Sequence, residues 1–446
     1  MLTGLARDGG LYVPESWPQM SGDEIAALAG LSYEEVAFKI IKPFIGDTFT
    51  DFELREILTK AYSSFKHDAR CPLVQLGSND YLLELHHGPT LAFKDVAMQL
   101  IGQMFEVCLK RRGERLTIVG ATSGDTGSAA IEAFRGLKSV DVFIMYPHGR
   151  VSEVQRRQMT TPNDSNIYAM AVDGDFDDCQ SQLKNMFNDF DFRDDINLAG
   201  VNSINWARVM AQVVYYFTAA VSLGAPHRKI SFTIPTGNFG DIFAGYVAKR
   251  MGLPIERLVI ATNQNDILHR TLASGDHSKN GVTPSISPSM DIQVSSNFER
   301  LLFDLYDREG PAVKQLMDDL NSKGSFTLSQ GALARMREEF ESANCSEDET
   351  TVTIRSTLKH FGHIVCPHTA VAIKVAAEMR GNPATPMIIL ATAHAAKFPD
   401  AVEAACGVCP ELPPHMSDLF DRPERVTRVA NDLSAIQDFI RKGIST

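Results

Sequence analysis

A lysine in an apolar segment is the first residue of the chain that invites a chemical explanation. Lys94 lies in "GPTLAFKDVAMQ", between Phe93 and Asp95, with aliphatic residues on both sides. The ordinary interpretation is a helix lysine that extends its charged end to solvent along an apolar stem. A lysine held in a dry pocket instead has a lowered pKa and becomes a nucleophile toward aldehydes. The preceding turn "HGPT" would aim the segment into a cleft, which favours the second interpretation.

Two glycine-rich turns stand between β-rich and helical runs. They are "ATSGDTGSAA" (121–130) and "PTGNFGD" (235–241). Successive backbone N–H groups in such a turn, together with the dipole of the following helix, attract an anion. The second turn is neither a Walker A loop nor GxGxxG, so it suits a single phosphate better than a nucleotide triphosphate or a dinucleotide. On spacing alone, the first turn is equally well explained as an ordinary tight strand–helix connection.

A third turn, "ATAHAAKFPD" (391–400), brings Thr392, His394 and Lys397 to the end of an apolar run. Taken alone, these residues are best explained as a solvated turn. The amine of Lys94 and the cup for one phosphate carry more information, because they are what pyridoxal 5′-phosphate requires.

The elements that must position these residues alternate between strand and helix. Short β-rich runs followed by small-residue turns and helical segments recur from Pro72 onward, which predicts βαβ units and largely parallel sheets with helices on both faces. In such sheets ligands bind beyond the carboxyl ends of the strands, where these turns fall. The first seventy residues are expected to be helical, with Ser21 and Thr50 or Asp51 as helix caps.

Composition limits the function classes. The chain of 446 residues has a net charge of −12. It therefore lacks the excess of positive charge that binding to nucleic acid or to an anionic membrane would require. The longest apolar run, 210–225, is shorter than a membrane span, and no signal-peptide pattern is visible, so a cytoplasmic protein is expected. The seven cysteines are scattered, and the pair Cys406 and Cys409 has no second pair at zinc spacing, which favours an incidental pair over a metal or redox site.

With these residues assembled, the chain resembles the threonine synthase family in its bacterial and fungal form. The resemblance runs along nearly the whole chain and is carried by "GLARDGGLYVP" (4–14), "HGPTLAFKD" (87–95), "GATSGDTGSAA" (120–130), "GRVSEVQRRQMTT" (149–161), "NSINWAR" (202–208), "PTGNFGD" (235–241) and "ATAHAAKFP" (391–399).

The resemblance implies an α/β fold of the type II pyridoxal-phosphate class, in the tryptophan synthase β-subunit fold group. Two doubly wound, mostly parallel α/β domains would then enclose the cofactor, beside a helical N-terminal region. We expect the helical region over 1–70, the large cofactor-binding domain over 71–100 and 216–446, and the small domain over 101–215. A monomer is expected, with a dimer as the alternative.

The resemblance also implies roles for individual residues. Lys94 would be the Schiff-base lysine and the catalytic base, and Thr392 would face the pyridine nitrogen. The loop for the cofactor phosphate would consist of Gly237, Asn238, Phe239 and Gly240, with Asp241 beside it. The loop that grips the substrate carboxylate would contain Thr122, Ser123, Asp125 and Thr126. The residues around the substrate phosphate would be Ser203, Asn205, Arg208 and Lys397.

The implied activity is the conversion of O-phospho-L-homoserine and water to L-threonine and inorganic phosphate. A serine or threonine dehydratase or a cysteine synthase would share the lysine and the cup. Arg208 and the "GNFGD" form of the cup favour the phosphorylated substrate. A catalytically silent homologue that only binds a phosphometabolite is a further alternative, which intact Lys94 and Thr392 oppose. The missing dinucleotide fingerprint argues against a dehydrogenase.

Overall fold

A computed structural model describes residues 2, 4–6, 8–200 and 203–444. In chain order, the strands are β1 Leu73–Gln75, β2 Asp80–Glu84, β3 Leu116–Ala121, β4 Val140–Pro147, β5 Ile167–Val172, β6 Leu198–Ala199, β7 Ile230–Pro235, β8 Ile255–Thr262, β9 Asp276–Ser278, β10 Ser325–Thr327, β11 Phe340–Asn344, β12 Met387–Ala391 and β13 Thr427–Val429.

The helices precede the first strand and connect the later ones. They are α1 Gly22–Ala26, α2 Tyr33–Ile45, α3 Asp51–Tyr62, α4 Lys94–Arg112, α5 Asp125–Phe134, α6 Glu153–Thr160, α7 Phe176–Asn188, α8 Phe190–Asp195, α9 Trp206–Ser222, α10 Gly240–Arg250, α11 Ile267–Ser274, α12 Phe298–Leu305, α13 Gly310–Lys323, α14 Gln330–Glu339, α15 Glu347–Phe361, α16 Pro367–Glu378, α17 Pro399–Cys406 and α18 Leu433–Gly443. None of the helices in these described ranges combines the length and the apolar composition that crossing a bilayer requires.

Two sheets carry the architecture. The larger has the strand order β1-β2-β12-β7-β8-β11 and is parallel except for the antiparallel edge pair β1 and β2. The smaller has the order β13-β5-β4-β3-β6 and is parallel throughout. A separate two-stranded antiparallel pair is formed by β9 and β10. The predicted βαβ alternation with largely parallel sheets is therefore confirmed.

Both faces of each sheet are covered, because successive side chains of a strand point to opposite faces. In β12, Ile388 and Leu390 pack into one hydrophobic cluster, and Ile389 packs into another. The larger of these clusters continues to the smaller sheet, where it includes Ile144 of β4. One continuous core thus joins the inner faces of the two sheets and fixes their relative position at the site.

The N-terminal region is helical, as the sequence predicts. The side chains of Ser21 and Thr50 accept hydrogen bonds from the backbone N–H groups of Glu24 and Glu53, so each begins a helix with a capping box. Buried residues of α2 and α3 join the main core, and α2 packs against α9. The N-terminal region therefore supports the helix that carries Arg208.

The C-terminal segment joins the smaller sheet. β13 pairs in parallel with β5, and α18 packs against α7. Sequence reasoning assigns this segment to the large domain, within 216–446, whereas its strand pairing associates it with the elements of 101–215. The pairing joins Thr427 to Met170, which are far apart in sequence, and no local pattern specifies such a partner.

Candidate active site

The segment before Lys94 is held against the end of β12. The backbone N–H of Phe93 donates to the carbonyl of Thr392 (2.8 Å), and the N–H of His394 donates to the carbonyl of Leu91 (3.0 Å). Leu91 has a φ of 63°, an unusual value for a bulky residue that must be imposed by its surroundings. These contacts bring the start of α4 to the carboxyl end of the large sheet.

The turn before Lys94 is tied to the helix that follows it. The Asp95 carboxylate accepts hydrogen bonds from the backbone N–H of Thr90 (2.8 Å) and from its hydroxyl (2.6 Å). Gly88 lies so close to this carboxylate that a β-carbon there would come within 2.5 Å of Asp95 Cβ. Burial raises the pKa of Asp95 to about 6, and the Thr90 hydrogen bonds oppose that shift. Asp95 is therefore a fixed support for Lys94.

A glycine-rich turn between β7 and α10 forms a cup of backbone N–H groups. Phe239 adopts a left-handed conformation with a φ of 62°, and its ring packs in the core against Phe298 and Phe340. This side chain is turned into the core, away from the backbone N–H groups at the beginning of the eleven-residue helix α10. Amide groups and the helix dipole at that position favour an anion.

The cup is supported by the chain segment 289–297. A β-carbon at Gly237 would lie 2.6 Å from the Ser289 carbonyl oxygen, so only glycine fits without movement. The hydroxyl of Ser295 donates to the Gly237 carbonyl (2.6 Å). Asn297 donates through its backbone N–H and its side-chain amide to the Asn238 carbonyl (3.0 and 3.1 Å). The carbonyl groups of Gly237 and Asn238 are thereby occupied by this segment.

The Asp125 carboxylate lies between two lysines. Its Oδ2 is 3.3 Å from Lys94 Nζ and its Oδ1 is 3.0 Å from Lys397 Nζ, while the Gln155 side-chain amide donates to Oδ1 (2.9 Å). Burial acts to raise the pKa of Asp125, but the two ammonium groups hold that pKa well below its ordinary value. Burial lowers the pKa of Lys94; Asp125 opposes the shift, and Lys397 and Arg208 add to it.

Arg208 is a buried guanidinium near the start of α9. Within the described ranges it has neither a carboxylate partner nor a side-chain hydrogen bond, and burial lowers its pKa to about 10. Burial of a cation without a neighbouring anion costs free energy, unless a ligand supplies the opposite charge. Ser203 lies in the preceding loop, and its hydroxyl is 3.1 Å from that of Ser296, which donates to the Asn238 side chain (3.2 Å). The segment that precedes Arg208 is therefore linked to the cup.

The remaining predicted residues differ in whether their side chains already take part in hydrogen bonds within the protein. Asn205 is buried and uses its side-chain oxygen to cap α9 at the N–H of Ala207 (3.0 Å). The hydroxyl oxygen of Thr122 accepts from the N–H groups of Gly124 and Gly127 (2.9 Å each), which shapes the start of α5. Ser123 and Thr126 are half-buried at the same turn. Asn202, in the same motif as Ser203, lies outside the described residues.

Thr392 and Asp241 complete the predicted set. Thr392 is buried beside the Lys94 segment, and its hydroxyl has no hydrogen bond to any residue in the described part of the chain. The Asp241 carboxylate accepts from the hydroxyls of Tyr215 and Tyr216 on α9, the latter at 3.0 Å. Burial raises the pKa of Asp241 to about 6, against the effect of these tyrosines. Asp241 thus joins the helix of the cup to the helix of Arg208.

Two residues of the site were missed by sequence reasoning. Gln155 holds Asp125, although nothing in its segment "GRVSEVQRRQMTT" indicates that contact. His368, at the start of α16, is buried, and its Nε2 accepts a hydrogen bond from the backbone N–H of Ser289 (3.2 Å). Burial lowers its pKa to about 4, with Asp125 opposing and Lys94 adding to the shift. The imidazole is therefore neutral and stands close to the charges around Lys94.

The residues present fit a molecule that combines one phosphate with one aldehyde. Gly237 packs so closely against the Ser289 carbonyl that only glycine fits there, and the backbone N–H donors of this turn suit a phosphate. Lys94 is a buried amine with a lowered pKa, which suits an aldehyde. Thr392 offers a hydroxyl without a hydrogen-bond partner in the described part of the chain, which suits an aromatic ring nitrogen. The donor set thus agrees with the cofactor expected from the sequence.

Comparisons with known proteins agree with this geometry. A family model described as "Pyridoxal-phosphate dependent enzyme" matches residues 69–319. Models described as "Threonine synthase N terminus" and "Threonine synthase, C-terminal" match residues 1–62 and 369–440. The threonine synthase of Pseudomonas aeruginosa is 52% identical over 99% of this chain and 94% of its own length.

Solved structures give the same result. The PLP-bound threonine synthase of Brucella melitensis is 56% identical, with a TM-score of 0.97 over 99% of this chain and 95% of its own. The yeast threonine synthase is 40% identical, with a TM-score of 0.94 over 99% of this chain and 94% of its own.

The fold and the site define a pyridoxal-phosphate-dependent enzyme of fold type II. Relatives that match along the whole chain narrow this class, and the chain belongs to the threonine synthase family. It is therefore a lyase of threonine biosynthesis that uses pyridoxal phosphate and acts on a small molecule. A dehydratase, a cysteine synthase or a silent binding protein is not favoured.

Proposed function

We propose that the enzyme converts O-phospho-L-homoserine and water into L-threonine and inorganic phosphate. In this reaction the Cγ–O bond of the substrate breaks, phosphate leaves, and the oxygen of water bonds to Cβ. The observation that carries the proposal is the buried Arg208, which has no anionic partner within the described ranges although it lies close enough to Lys94 to lower the pKa of that lysine. A phosphate ester on the substrate supplies the missing charge.

Arg208 and Ser203 would bind the substrate phosphate. A guanidinium presents parallel N–H donors that match two phosphate oxygens, and it keeps its charge as the leaving group becomes more negative. Ser203 adds a hydroxyl, and its hydrogen-bonded link through Ser296 to the cup fixes its position. Asn205 would contribute by holding the beginning of α9 in place.

Lys94 would hold the cofactor and then move protons. The N–H groups from Gly237 to Gly240 would bind the cofactor phosphate, and the hydroxyl of Thr392 would face the pyridine nitrogen. Bound pyridoxal phosphate supplies a conjugated ring that takes up the electron pair left at Cα. Lys94 Nζ, once released by the substrate amine, would accept the proton from Cα.

Two protons must be returned after phosphate departs. Deprotonation at Cβ accompanies loss of the phosphate. One proton then returns at Cγ, water adds at Cβ, and the second proton returns at Cα. Lys94 is the base we assign to Cα because its amine is buried and its pKa is lowered. Ser123 and Thr126, half-buried at the start of α5, would bind the substrate carboxylate with α5 backbone groups.

The direct test is product analysis with the purified enzyme and pyridoxal phosphate. With O-phospho-L-homoserine we expect equal amounts of threonine and inorganic phosphate. With L-threonine alone we expect no stoichiometric release of ammonia. Ammonia from threonine, without phosphate release from the ester, would instead assign the enzyme to the dehydratases.

We also propose a division into two α/β units that follows the sheets. The unit of 101–215 would be extended by β13 and α18, because β13 pairs with β5. Hydrogen exchange during substrate binding tests this division, since 427–443 should then change protection together with the smaller sheet.

We further propose a cytoplasmic monomer. All seven cysteines are free, as is usual in a reducing compartment. Most exposed large hydrophobic residues are scattered along the chain, as is normal for a monomer. Cell fractionation and light scattering of the purified enzyme test these two points.

A further inference from the structure

The site contains two buried lysines that share one carboxylate. Lys94 and Lys397 approach opposite oxygens of Asp125, at 3.3 and 3.0 Å. Two ammonium groups beside one carboxylate leave an excess positive charge in a buried cluster, which is unfavourable. This excess charge favours the loss of a proton from one of the two amines.

The two amines differ in the contacts that their Nζ atoms make. Lys397 Nζ donates to the Thr90 carbonyl (2.7 Å) in addition to its ion pair with Asp125. Gln155 donates to the same carboxylate oxygen and fixes it in place. Among the described residues, Lys94 Nζ has only the longer contact with Asp125 and the face of Phe93, whose ring centroid is 5.2 Å from Nζ. The proton on Lys94 is thus held less firmly.

Lys397 is also poorly placed to touch a substrate. Its side chain is 0% exposed, whereas that of Lys94 is 10% exposed. Its ammonium lies between Asp125 and the Thr90 carbonyl, which belongs to the turn before Lys94. These contacts differ from the phosphate-binding role that the resemblance implies for Lys397.

We propose that Lys397 is a positioning residue: its ammonium permanently occupies Oδ1 of Asp125 and thereby makes Lys94 the amine of the pair that gives up its proton. This inference deepens the proposed function, on which it rests, by explaining why one of two buried lysines serves as nucleophile and base. The charge on Lys397 acts through Asp125 and need not contact the substrate.

Several other groups face the same cluster and are constant in the comparison below. They are Arg208 from α9, His368 from α16 and Asp95 from α4. The pH dependence of Lys94 reflects all of them, so only differences between variants are informative.

The test uses the full-length chain freed of cofactor and then mixed with pyridoxal phosphate at a series of pH values. Unprotonated Lys94 Nζ adds to the aldehyde carbon, a C=N bond forms and water leaves. The product is reduced with borohydride, and its amount at Lys94 is measured by mass spectrometry. In Lys397→Met, Lys94 becomes the sole cation on Asp125, so the midpoint of the pH–rate curve should rise by about one unit. The rate at pH 7 should then fall about tenfold.

Two variants serve as controls. Lys397→Arg keeps the charge and should leave the midpoint close to that of the wild type. Lys314→Met removes an exposed lysine that is paired with Asp318 and should leave both midpoint and rate unchanged. A folded Lys397→Met protein with an unchanged midpoint overturns the proposal. So does an increase of more than about tenfold in the KM for O-phospho-L-homoserine without a midpoint shift, because that result assigns Lys397 to the substrate phosphate.

A second variant tests the same idea with the opposite sign. Asp125→Asn leaves Lys94 beside the charge of Lys397 without a carboxylate, so the midpoint should fall below that of the wild type. A midpoint that rises or stays constant in this variant contradicts the proposal, even if Lys397→Met fails to fold. Attachment of pyridoxal phosphate requires no amino-acid substrate. A wild-type enzyme that ignores O-phospho-L-homoserine would therefore overturn the proposed function and leave this test intact.

Discussion

Lys94 and Arg208 are both buried cations of the site, but only Lys94 has a carboxylate beside it among the described residues. Lys94 is an amine that must gain and lose a proton during the reaction. Arg208 is a guanidinium whose charge an anionic ligand would balance. Residue types alone do not reveal this difference, because it depends on where Asp125 lies. Each of the two cations therefore leads to its own experiment.

For Arg208, we expect the change to alanine to weaken substrate binding and to spare the cofactor. Loss of a charge-assisted contact costs about 2 to 3 kcal/mol, so KM for O-phospho-L-homoserine should rise about 30- to 140-fold. The dissociation constant of pyridoxal phosphate should stay within about threefold. Steady-state kinetics and cofactor titration measure these two quantities.

The matched control is Arg428→Ala, which removes a largely exposed arginine paired with Asp173 on the smaller sheet. Its KM should equal that of the wild type. An Arg208→Ala enzyme with a normal KM would move the phosphate site elsewhere.

For Asp241, we expect a specific dependence of stability on pH. Its pKa is about 6 in the folded protein, above the ordinary value of 3.8, so the unfolded chain ionises first as pH rises. The contribution of this carboxyl group to the free energy of unfolding is therefore fully present below pH 4 and is lost between about pH 4 and 6. The loss amounts to about 3 kcal/mol.

Urea denaturation of wild type and Asp241→Asn between pH 4 and 7 measures that contribution. The free energy of unfolding of the wild type, taken relative to the variant, should fall as pH rises. Asp95 shifts in the same direction in both proteins and cancels in the difference. A difference that is flat, or that increases with pH, would show that Asp241 is ionised in the folded protein.

At the scale of elements, the turn between β7 and α10 depends on Gly237. A β-carbon there would meet the Ser289 carbonyl at 2.6 Å, and relieving such an overlap costs about 1 to 3 kcal/mol. Gly237→Ala should therefore weaken pyridoxal phosphate binding by about 5- to 140-fold. Fluorescence titration of the cofactor is the measurement. Gly331→Ala, at an exposed helical position with open space around it, is the control and should bind normally.

Local patterns predicted the elements well. The β-rich runs became strands of parallel sheets, and the turns after β3, β7 and β12 lie at carboxyl ends of strands, as expected. Helix caps at Ser21 and Thr50 could also be predicted from the sequence, because a cap depends on residues within one turn. The sequence did not predict which of the two sheets β13 joins. Its sequence "TRV" fits either sheet, and the choice depends on packing of distant elements.

The site lies where the two sheets meet. Lys94 and Lys397 come from the region of the larger sheet, and Asp125 and Gln155 from that of the smaller one. The sequence places Lys397 and Asp125 far apart, so their ion pair could not be predicted from spacing. The resemblance to the threonine synthase family identified both residues, but only the assembled fold shows what they contact.

The proposed reaction breaks the Cγ–O bond of O-phospho-L-homoserine and adds water at Cβ. Turnover in water enriched in oxygen-18, followed by mass spectrometry of both products, tests it most directly. We predict threonine with one heavy oxygen in its hydroxyl group and inorganic phosphate with none. Heavy oxygen in the phosphate, with an unlabelled amino alcohol as the other product, would mean simple hydrolysis of the phosphate ester and would rule out the proposed function.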